Sequence, residues 1–123
     1  KLLSPQKNYP GATNTYWTWA AKLNTSIVKW DEFRARYLEY GGDPYYGAWK
    51  LTYLEPMFEN KNFLGRENFI SESRLSEYRN GLCPNAEEIQ PQLMQFKTNY
   101  WDIDQVSSSM AALARTIESF SSR

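Results

Sequence analysis

The residues that carry most enzyme chemistry are scarce in this sequence. It contains no histidine and one cysteine, Cys83. The missing histidine removes the usual general base, the commonest metal ligand and every catalytic triad that depends on an imidazole. A zinc site is disfavoured on the same ground. Cys83 has no partner for an internal disulfide, which is typical of a protein from the reducing cytoplasm.

Acidic residues occur in three close pairs, and each pair falls where a helix is predicted to begin. The pairs are Asp31-Glu32, Glu87-Glu88 and Asp102 with Asp104. Carboxylates are favourable at a helix N-terminus because they face the positive end of its dipole. We therefore interpret all three pairs as capping and solvated residues, not as acid–base catalysts. A glycine-rich phosphate loop is missing too, since Gly41-Gly42 follows a predicted helix, whose negative end repels phosphate.

Lys50 is the one lysine set among aromatic and aliphatic residues. Desolvation in such surroundings disfavours the charged form of a lysine and suits Schiff-base chemistry. The alternative, which we favour, is a lysine whose stem packs on Trp49 or Tyr53 while its ammonium group reaches water.

Aromatic residues are the abundant class, at 16% of the chain with five Trp and nine Tyr. They concentrate at Tyr45, Tyr46, Trp49 and Tyr53. Large rings with a polar atom suit half-wet contact surfaces as well as cores. Two interpretations of this cluster stay open: core packing, or a surface that faces a ligand or a partner.

The bulk composition limits the possible partners. A length of 123 residues favours one domain, residues 1–123. The 14 basic and 14 acidic residues cancel, so general binding of nucleic acid is disfavoured. No stretch reaches the ~20 apolar residues that a membrane span needs, and the start lacks the apolar core of a signal peptide. Because the first residue, Lys1, is not methionine, we expect a processed chain or a fragment.

Periodicity predicts the first elements that must position these residues. Residues 1–14, polar and interrupted by prolines, are typical of an extended entry segment. Residues 16–23 alternate, which predicts a half-buried strand with Tyr16 on its outer face. The inner face of that strand is predicted to carry Trp17, Trp19, Ala21 and Leu23.

A helix is predicted over residues 30–40, with Trp30, Phe33 and Tyr37 on one face and Gly41-Gly42 at its end. Residues 43–54 predict an irregular loop or short helix that is stopped by Pro56. Residues 59–81 are polar and predict a mobile excursion over the surface.

The last third of the chain predicts two more helices. Asn85 is expected to cap the first, with Glu88 reaching back and Pro91 kinking it. Its buried stripe is predicted to be Ala86, Ile89, Leu93 and Phe96.

Asp102 is expected to cap the final helix, with Trp101 packing onto its first turn. The buried stripe of that helix is predicted to be Val106, Met110, Leu113, Ile117 and Phe120. Together these elements predict a small α+β domain with a few strands and at least three packed helices.

Two stretches resemble the C-terminal region of the DegT/StrS family of sugar aminotransferases. Residues 82–120 match the family's closing pattern, in which Pro-x-Ala-Glu (Pro84 to Glu87) opens a helix and a short extended segment precedes an amphipathic final helix. Residues 30–58, with Gly41-Gly42-Asp43 and the run from Ala48 to Pro56, are similar to a branch with an aromatic loop after the first small-domain helix. Residues 16–23 match the strand that enters the small domain.

The resemblance implies the C-terminal small domain of a pyridoxal-phosphate-dependent transaminase, with a short, mainly antiparallel sheet packed against about three helices. Such enzymes are usually homodimers that move an amino group onto a keto-sugar, commonly a nucleotide-linked one. Their cofactor-binding lysine lies in the N-terminal large domain, upstream of this stretch. We therefore expect this chain alone to bind no cofactor and to be inactive, and we expect the parent enzyme to be cytoplasmic.

In this family the small domain covers the active site and lends substrate contacts. By position, the residues implied for substrate binding are Tyr16, Tyr45, Tyr46, Trp49 and Tyr53. Family members often place a histidine there, which this chain lacks, so the substrate stays open. A dehydratase that keeps the cofactor without the lysine is one alternative. A stand-alone binding module, whose aromatic loop stacks on a sugar or a peptide, is another.

Overall fold

The computed structural model describes residues 1–44, 46–47, 50–60 and 78–121. The chain divides into two compact units, one formed by Lys1–Ala48 with Gln92–Arg123 and the other by Trp49–Pro91. The prediction of one domain over residues 1–123 stays a prediction.

The described part of the chain contains strands and α-helices in both halves of the sequence. The strands are β1 (Leu3–Pro5), β2 (Trp19–Leu23), β3 (Tyr46–Gly47) and β4 (Leu93–Phe96). The helices are α1 (Trp30–Glu39), α2 (Pro56–Glu59), α3 (Pro84–Ile89) and α4 (Ile103–Ser121). The strands form one sheet in the order β1-β2-β4-β3, in which every neighbouring pair is antiparallel. The predicted α+β fold is confirmed.

The sheet has one apolar face and one solvated face. Trp19 lies opposite Phe96 in register and Ala21 lies opposite Met94, and three of these four residues are buried, Trp19 being partly buried. Lys22, which lies between the buried Ala21 and Leu23 in β2, is exposed. This alternation follows from strand geometry, because successive side chains point to opposite faces.

Helices α1 and α4 close over the apolar face of the sheet. The Tyr37 ring of α1 meets Phe96 of β4 edge-on, with centroids 5.7 Å apart. Phe33 of α1 stacks on Phe120 of α4 at 6.0 Å. The buried apolar residues of this core are Leu2, Leu3, Ala21, Leu23, Val28, Phe33, Tyr37, Met94, Phe96, Ala112, Leu113 and Phe120. Their removal from water is the main force that holds the first unit together.

The strand predicted over residues 16–23 is confirmed in its second half. Ala21 and Leu23 are buried as predicted. However, β2 begins at Trp19, and Trp17, which alternation placed on the buried face, is 93% exposed. The cause is the backbone of Tyr16, whose φ of 46° lies in the left-handed region and interrupts the extended chain just before Trp17.

Helix α1 forms as predicted, with Phe33 and Tyr37 buried. Gly41 ends it with a φ of 85°, a conformation that glycine tolerates because it has no Cβ. Gly42 donates its N–H to the Tyr37 carbonyl at 2.9 Å. It also lies so close to the Tyr37 ring that a Cβ at this position would overlap the ring.

Around residue 85 the structure corrects the prediction. Helix α3 begins at Pro84, so the N-cap position belongs to Cys83 and not to Asn85. The Glu87 side chain turns back to the preceding loop. Its carboxylate accepts the backbone N–H groups of Gly81, at 2.8 Å, and of Cys83, at 3.3 Å.

The run from Ala86 to Phe96 is not one helical stripe, and that prediction was wrong. Helix α3 ends at Ile89, a 3-10 turn spans Gln90–Gln92, and β4 follows directly. Pro91 therefore lies in a turn rather than inside a helix, where its missing N–H would break the hydrogen-bond ladder.

The final helix confirms its predicted cap but not its whole stripe. The Asp102 carboxylate accepts the Asp104 N–H at 2.9 Å. Leu113 and Phe120 are buried, but Met110 is 60% exposed. Trp101 is fully exposed, so the predicted packing of its ring onto the first turn was wrong.

The second unit contains short elements. A 3-10 turn spans Thr52–Leu54, and α2 follows with Pro56 in its first turn, where a proline is tolerated. The rings of Phe58 and Tyr78 lie 5.5 Å apart. Most of the predicted excursion over residues 59–81 lies outside the described residues.

Candidate functional site

The five residues predicted to bind substrate fall in different parts of the chain. Tyr45 and Trp49 lie outside the described residues. Tyr46 is in β3, where its Cα pairs with that of Gln95. Tyr16 also belongs to the first unit, whereas Tyr53 belongs to the second. Their assignment to substrate binding stays a prediction.

Tyr53 makes a hydrogen bond that holds parts of the second unit together. Its hydroxyl donates to Glu87 Oε1 at 2.5 Å, which joins the 3-10 turn to α3. Partial burial and the adjacent carboxylate raise the pKa of Tyr53 to about 12. The same hydrogen bond, together with the N–H of Gly81, lowers the pKa of Glu87. This arrangement accounts for Tyr53 as a structural residue of its unit.

Lys50 is exposed. That position agrees with the favoured interpretation, in which its ammonium group reaches water. The packing of its stem on Trp49 lies outside the described residues.

The turn at Tyr16 and Trp17 is held in an unusual conformation from several sides. The Thr98 hydroxyl lies 2.8 Å from the carbonyl oxygens of both Tyr16 and Trp17, which share its single proton. The Tyr16 hydroxyl donates to Asn8 Oδ1 at 3.2 Å, and the Asn14 amide donates to the same oxygen. A non-glycine residue keeps a left-handed φ where its surroundings fix it in this way.

A cavity of about 350 Å³ opens beside this turn. We call it the platform cavity; its lining residues are Trp17, Thr18, Pro44, Gln95, Lys97 and Asn99. An exposed indole, a proline ring, two carboxamides, a hydroxyl and an ammonium group thus surround one space. An aromatic face together with a few hydrogen-bonding groups is the usual lining of a small-molecule site.

A second cavity, of about 240 Å³, lies between the apolar face of the sheet and α4. We call it the inner cavity; its lining residues are Trp19, Tyr37, Phe96, Lys97, Thr98, Tyr100, Val106, Ser109, Met110 and Leu113. Apolar side chains dominate the lining, and the hydroxyl groups form a chain along it.

Three hydroxyl groups are linked in the wall of the inner cavity. The Tyr100 hydroxyl donates to Ser109 Oγ at 3.0 Å, and Ser109 Oγ lies 2.6 Å from the Tyr37 hydroxyl. Burial raises the pKa of Tyr37, against the opposing effect of its bond to Ser109. Burial and the nearby Asp43 carboxylate raise the pKa of Tyr100 to about 12. All three groups therefore remain neutral hydrogen-bonding groups at physiological pH.

Lys97 lines both cavities. Its ammonium nitrogen lies 3.9 Å from the Asp43 carboxylate and 4.5 Å from the centroid of the Tyr100 ring. Both partners of the ion pair are 39% exposed, so the pair is weak and solvated. The ammonium group consequently keeps donors that can turn toward a ligand.

Sequence reasoning missed the residues of the platform cavity. Trp17 was assigned to the buried face of a strand, and Gln95 was read as part of a helix. Neither Lys97 nor Asn99 is among the predicted site residues. One signal was present: the polar run Lys97-Thr98-Asn99 directly follows an apolar segment, as binding residues at strand ends often do.

Comparison with protein-family models, curated proteins and solved structures finds no match to this chain. Among the described residues, no cluster of three metal-ligating side chains occurs. In the same part of the chain, every helix is too short or too polar to cross a lipid bilayer.

Proposed function

We propose that this chain is the C-terminal small domain of a DegT/StrS-type aminotransferase, which transfers an amino group to a keto-sugar, commonly a nucleotide-linked one. In this proposal the large domain of the same protein supplies pyridoxal phosphate and the Schiff-base lysine. The small domain covers the active site and contributes substrate contacts. The parent enzyme would be a cytoplasmic homodimer.

The observation that carries this proposal is the order of elements over residues 84–121. Along the chain, helix α3 begins at Pro84 with the Pro-x-Ala-Glu sequence, the extended β4 follows, and the long amphipathic α4 comes last. This is the order of the family's closing pattern. We take this shared order as the support for the proposal.

The sheet also supports the proposal. Two helices of the first unit, α1 and α4, cover one face of its antiparallel strands. On the other face Lys22 is exposed and Ala20 and Gln95 are partly exposed. A half-covered sheet suits a domain that covers a larger neighbour. The exposed free thiol of Cys83 is in keeping with a reducing compartment.

The described residues do not fit pyridoxal phosphate. The cofactor needs a desolvated lysine, a carboxylate at its ring nitrogen and a cup of N–H donors for its phosphate. Lys50 and Lys97 are both exposed, so neither is a desolvated lysine. We therefore derive no chemical step in this chain and assign it the roles of cover and substrate contact.

The test uses the protein encoded by the whole reading frame that contains this chain. Purified, it should show the visible absorption of bound pyridoxal phosphate and transaminate a nucleotide-linked keto-sugar. The chain of residues 1–123 alone should show neither property. A saturable cofactor spectrum in the chain alone that disappears in Lys50→Ala would contradict the proposal, because Lys50 would then be the catalytic lysine.

The second candidate function is a stand-alone binding module. The nearly complete exposure of Trp17 beside a polar cavity favours it, since such a platform can bind a ligand without another domain. The reading frame distinguishes the two functions: a large domain with a strand-borne lysine supports the transaminase, and its absence supports the module.

A further inference from the structure

We propose that the platform cavity binds a nucleotide, with its base stacked on the indole of Trp17 and its phosphate near Lys97. The inference deepens the proposed function by assigning the nucleotide end of a nucleotide-linked substrate to this chain, and it rests on that function for this link. Its site is distinct from the inner cavity, which is mainly apolar.

The first argument is the contrast between the two exposed indoles of the first unit. Trp17 is 93% exposed and Trp101 is fully exposed. Trp17 lines a cavity and follows a residue with a left-handed φ, whose turn is fixed by the Thr98 hydroxyl. The backbone holds this indole away from the core at a strained turn that other residues fix. Such an indole is positioned to contact a ligand.

The second argument is the set of unused polar groups around that indole. In the part of the chain that the structure describes, the side chains of Thr18, Gln95 and Asn99 make no hydrogen bond. Each carboxamide offers an acceptor oxygen and a donor nitrogen side by side. Three polar groups without partners that line one cavity are available to a ligand.

The third argument identifies the class of ligand. An aromatic face stacks on any base, and paired carboxamide donors and acceptors match the edge of a heterocycle. Pro44 adds a flat apolar surface to the same lining. Lys97 adds one cation, which suits a phosphate group. With zero net charge on the chain, a single nucleotide fits better than a polymer.

The experiment follows the indole N–H signals of the whole 123-residue chain by NMR while nucleotide is added. The five Trp give five such signals, and the one missing from Trp17→Ala identifies Trp17. Uridine monophosphate and adenosine monophosphate should each move that signal saturably, and ribose 5-phosphate should not. In Trp17→Ala the affinity for both nucleotides should fall roughly 5- to 150-fold, the range for loss of one base stack.

Trp101→Ala is the matched control, because it removes an equally exposed indole away from the cavity. Trp101→Ala should leave nucleotide affinity unchanged. Trp17→Phe keeps a smaller ring, so its nucleotide affinity should lie between those of wild type and Trp17→Ala. Equal shifts with ribose 5-phosphate or with glucose would overturn the proposal in favour of a phosphate or sugar site. Unchanged affinity in Trp17→Ala would overturn it outright.

Thr98 is a positioning residue in this proposal, because it braces the backbone of Tyr16 and Trp17. Thr98→Val should weaken nucleotide binding, and Thr98→Ser, which keeps the hydroxyl, should restore it. Nucleotide affinity in Thr98→Val equal to that of wild type would contradict this role. These outcomes are measured without pyridoxal phosphate, so they are separate from success or failure of the transaminase test.

Discussion

Two turns of the first unit each contain a residue with a left-handed φ, but the two turns have different structural roles. At Gly41 the left-handed φ of 85° occurs in a glycine, and the following Gly42 packs under the Tyr37 ring. At Tyr16 the φ of 46° occurs in a residue with a bulky side chain and needs the Thr98 hydroxyl to hold it. The turn at Gly41 ends α1, whose buried face packs on the core. The turn at Tyr16 leaves the indole of Trp17 outside the core. The left-handed glycine allows close packing, whereas the left-handed tyrosine precedes an indole that lines the platform cavity.

The core behind the glycine turn should show the largest effects. Leu113 is 8% exposed in α4, so Leu113→Ala should lower the free energy of unfolding by about 2–5 kcal/mol, because it removes buried methyl groups and leaves a void. Met110→Ala on the same helix, where the side chain is 60% exposed, should change it by less than about 0.5 kcal/mol. Equilibrium urea unfolding measures both. Equal losses of unfolding free energy in the two variants would mean that Leu113 is not more buried than Met110.

The glycine turn itself should be the next most sensitive position. Gly42→Ala should destabilise the chain by about 1–3 kcal/mol, since the new Cβ would overlap the buried Tyr37 ring. Gly41→Ala meets no atom within 4 Å, so its destabilisation, about 1–2 kcal/mol, should come from the left-handed φ alone. Thermal unfolding compares the two. A harmless Gly42→Ala would refute the packing of Tyr37 against this turn.

The tyrosine turn should matter less for stability. Thr98→Val removes one exposed hydroxyl that donates to the turn, which should lower the free energy of unfolding by about 0.5–1.5 kcal/mol. Thr13→Val is the matched control, because Thr13 is exposed and makes no hydrogen bond within the described part of the chain. If both variants unfold alike in urea, the Thr98 hydroxyl does not brace the turn.

The smallest effect is a pH dependence that comes from Tyr53 and Glu87. The pKa of Glu87 is lowered in the folded chain, so its contribution is present above its ordinary value of 4.5 and is lost as the pH falls below it. The pKa of Tyr53 is raised to about 12, so its contribution is present below 10 and is lost as the pH rises toward 12. The melting temperature should therefore be flat between these limits and fall outside them.

Glu87→Gln tests this dependence directly. It should remove the part of the acid-side fall that belongs to Glu87, because the amide does not titrate, whereas Glu59→Gln at an exposed position should leave the profile unchanged. A wild-type profile in Glu87→Gln would mean that the titration of Glu87 does not contribute to the acid-side fall.

Local signals in the sequence predicted the parts of the fold that depend on local chemistry. Gly41 ends α1 and Asp102 caps α4 because backbone conformation and capping act over a few residues. Strand β4 was missed because its four residues fit a helical stripe as well as a strand, and the choice is made by pairing with the distant β2. The tertiary pairing with β2, and not the local sequence, therefore makes residues 93–96 a strand.

The candidate site was harder to predict than the fold. The exposure of Trp17 depends on a left-handed Tyr16, which is rare outside glycine and leaves no trace in the sequence. The brace comes from Thr98, far along the chain. Likewise, the hydrogen bond between Tyr53 and Glu87 joins residues 34 positions apart and has no local signal in the sequence. In each case a contact between residues distant in sequence determines the surroundings of the side chain.

The most direct test of this account is steady-state kinetics of the full-length protein with a nucleotide-linked keto-sugar. We expect pyridoxal-phosphate-dependent turnover. Trp17→Ala should raise KM by roughly 5-fold or more while kcat stays near its original value, because the lost stack acts on binding in both ground and transition states. Trp101→Ala should change neither constant. Absence of any transaminase activity, or a Trp17→Ala enzyme with unchanged KM, would contradict the account.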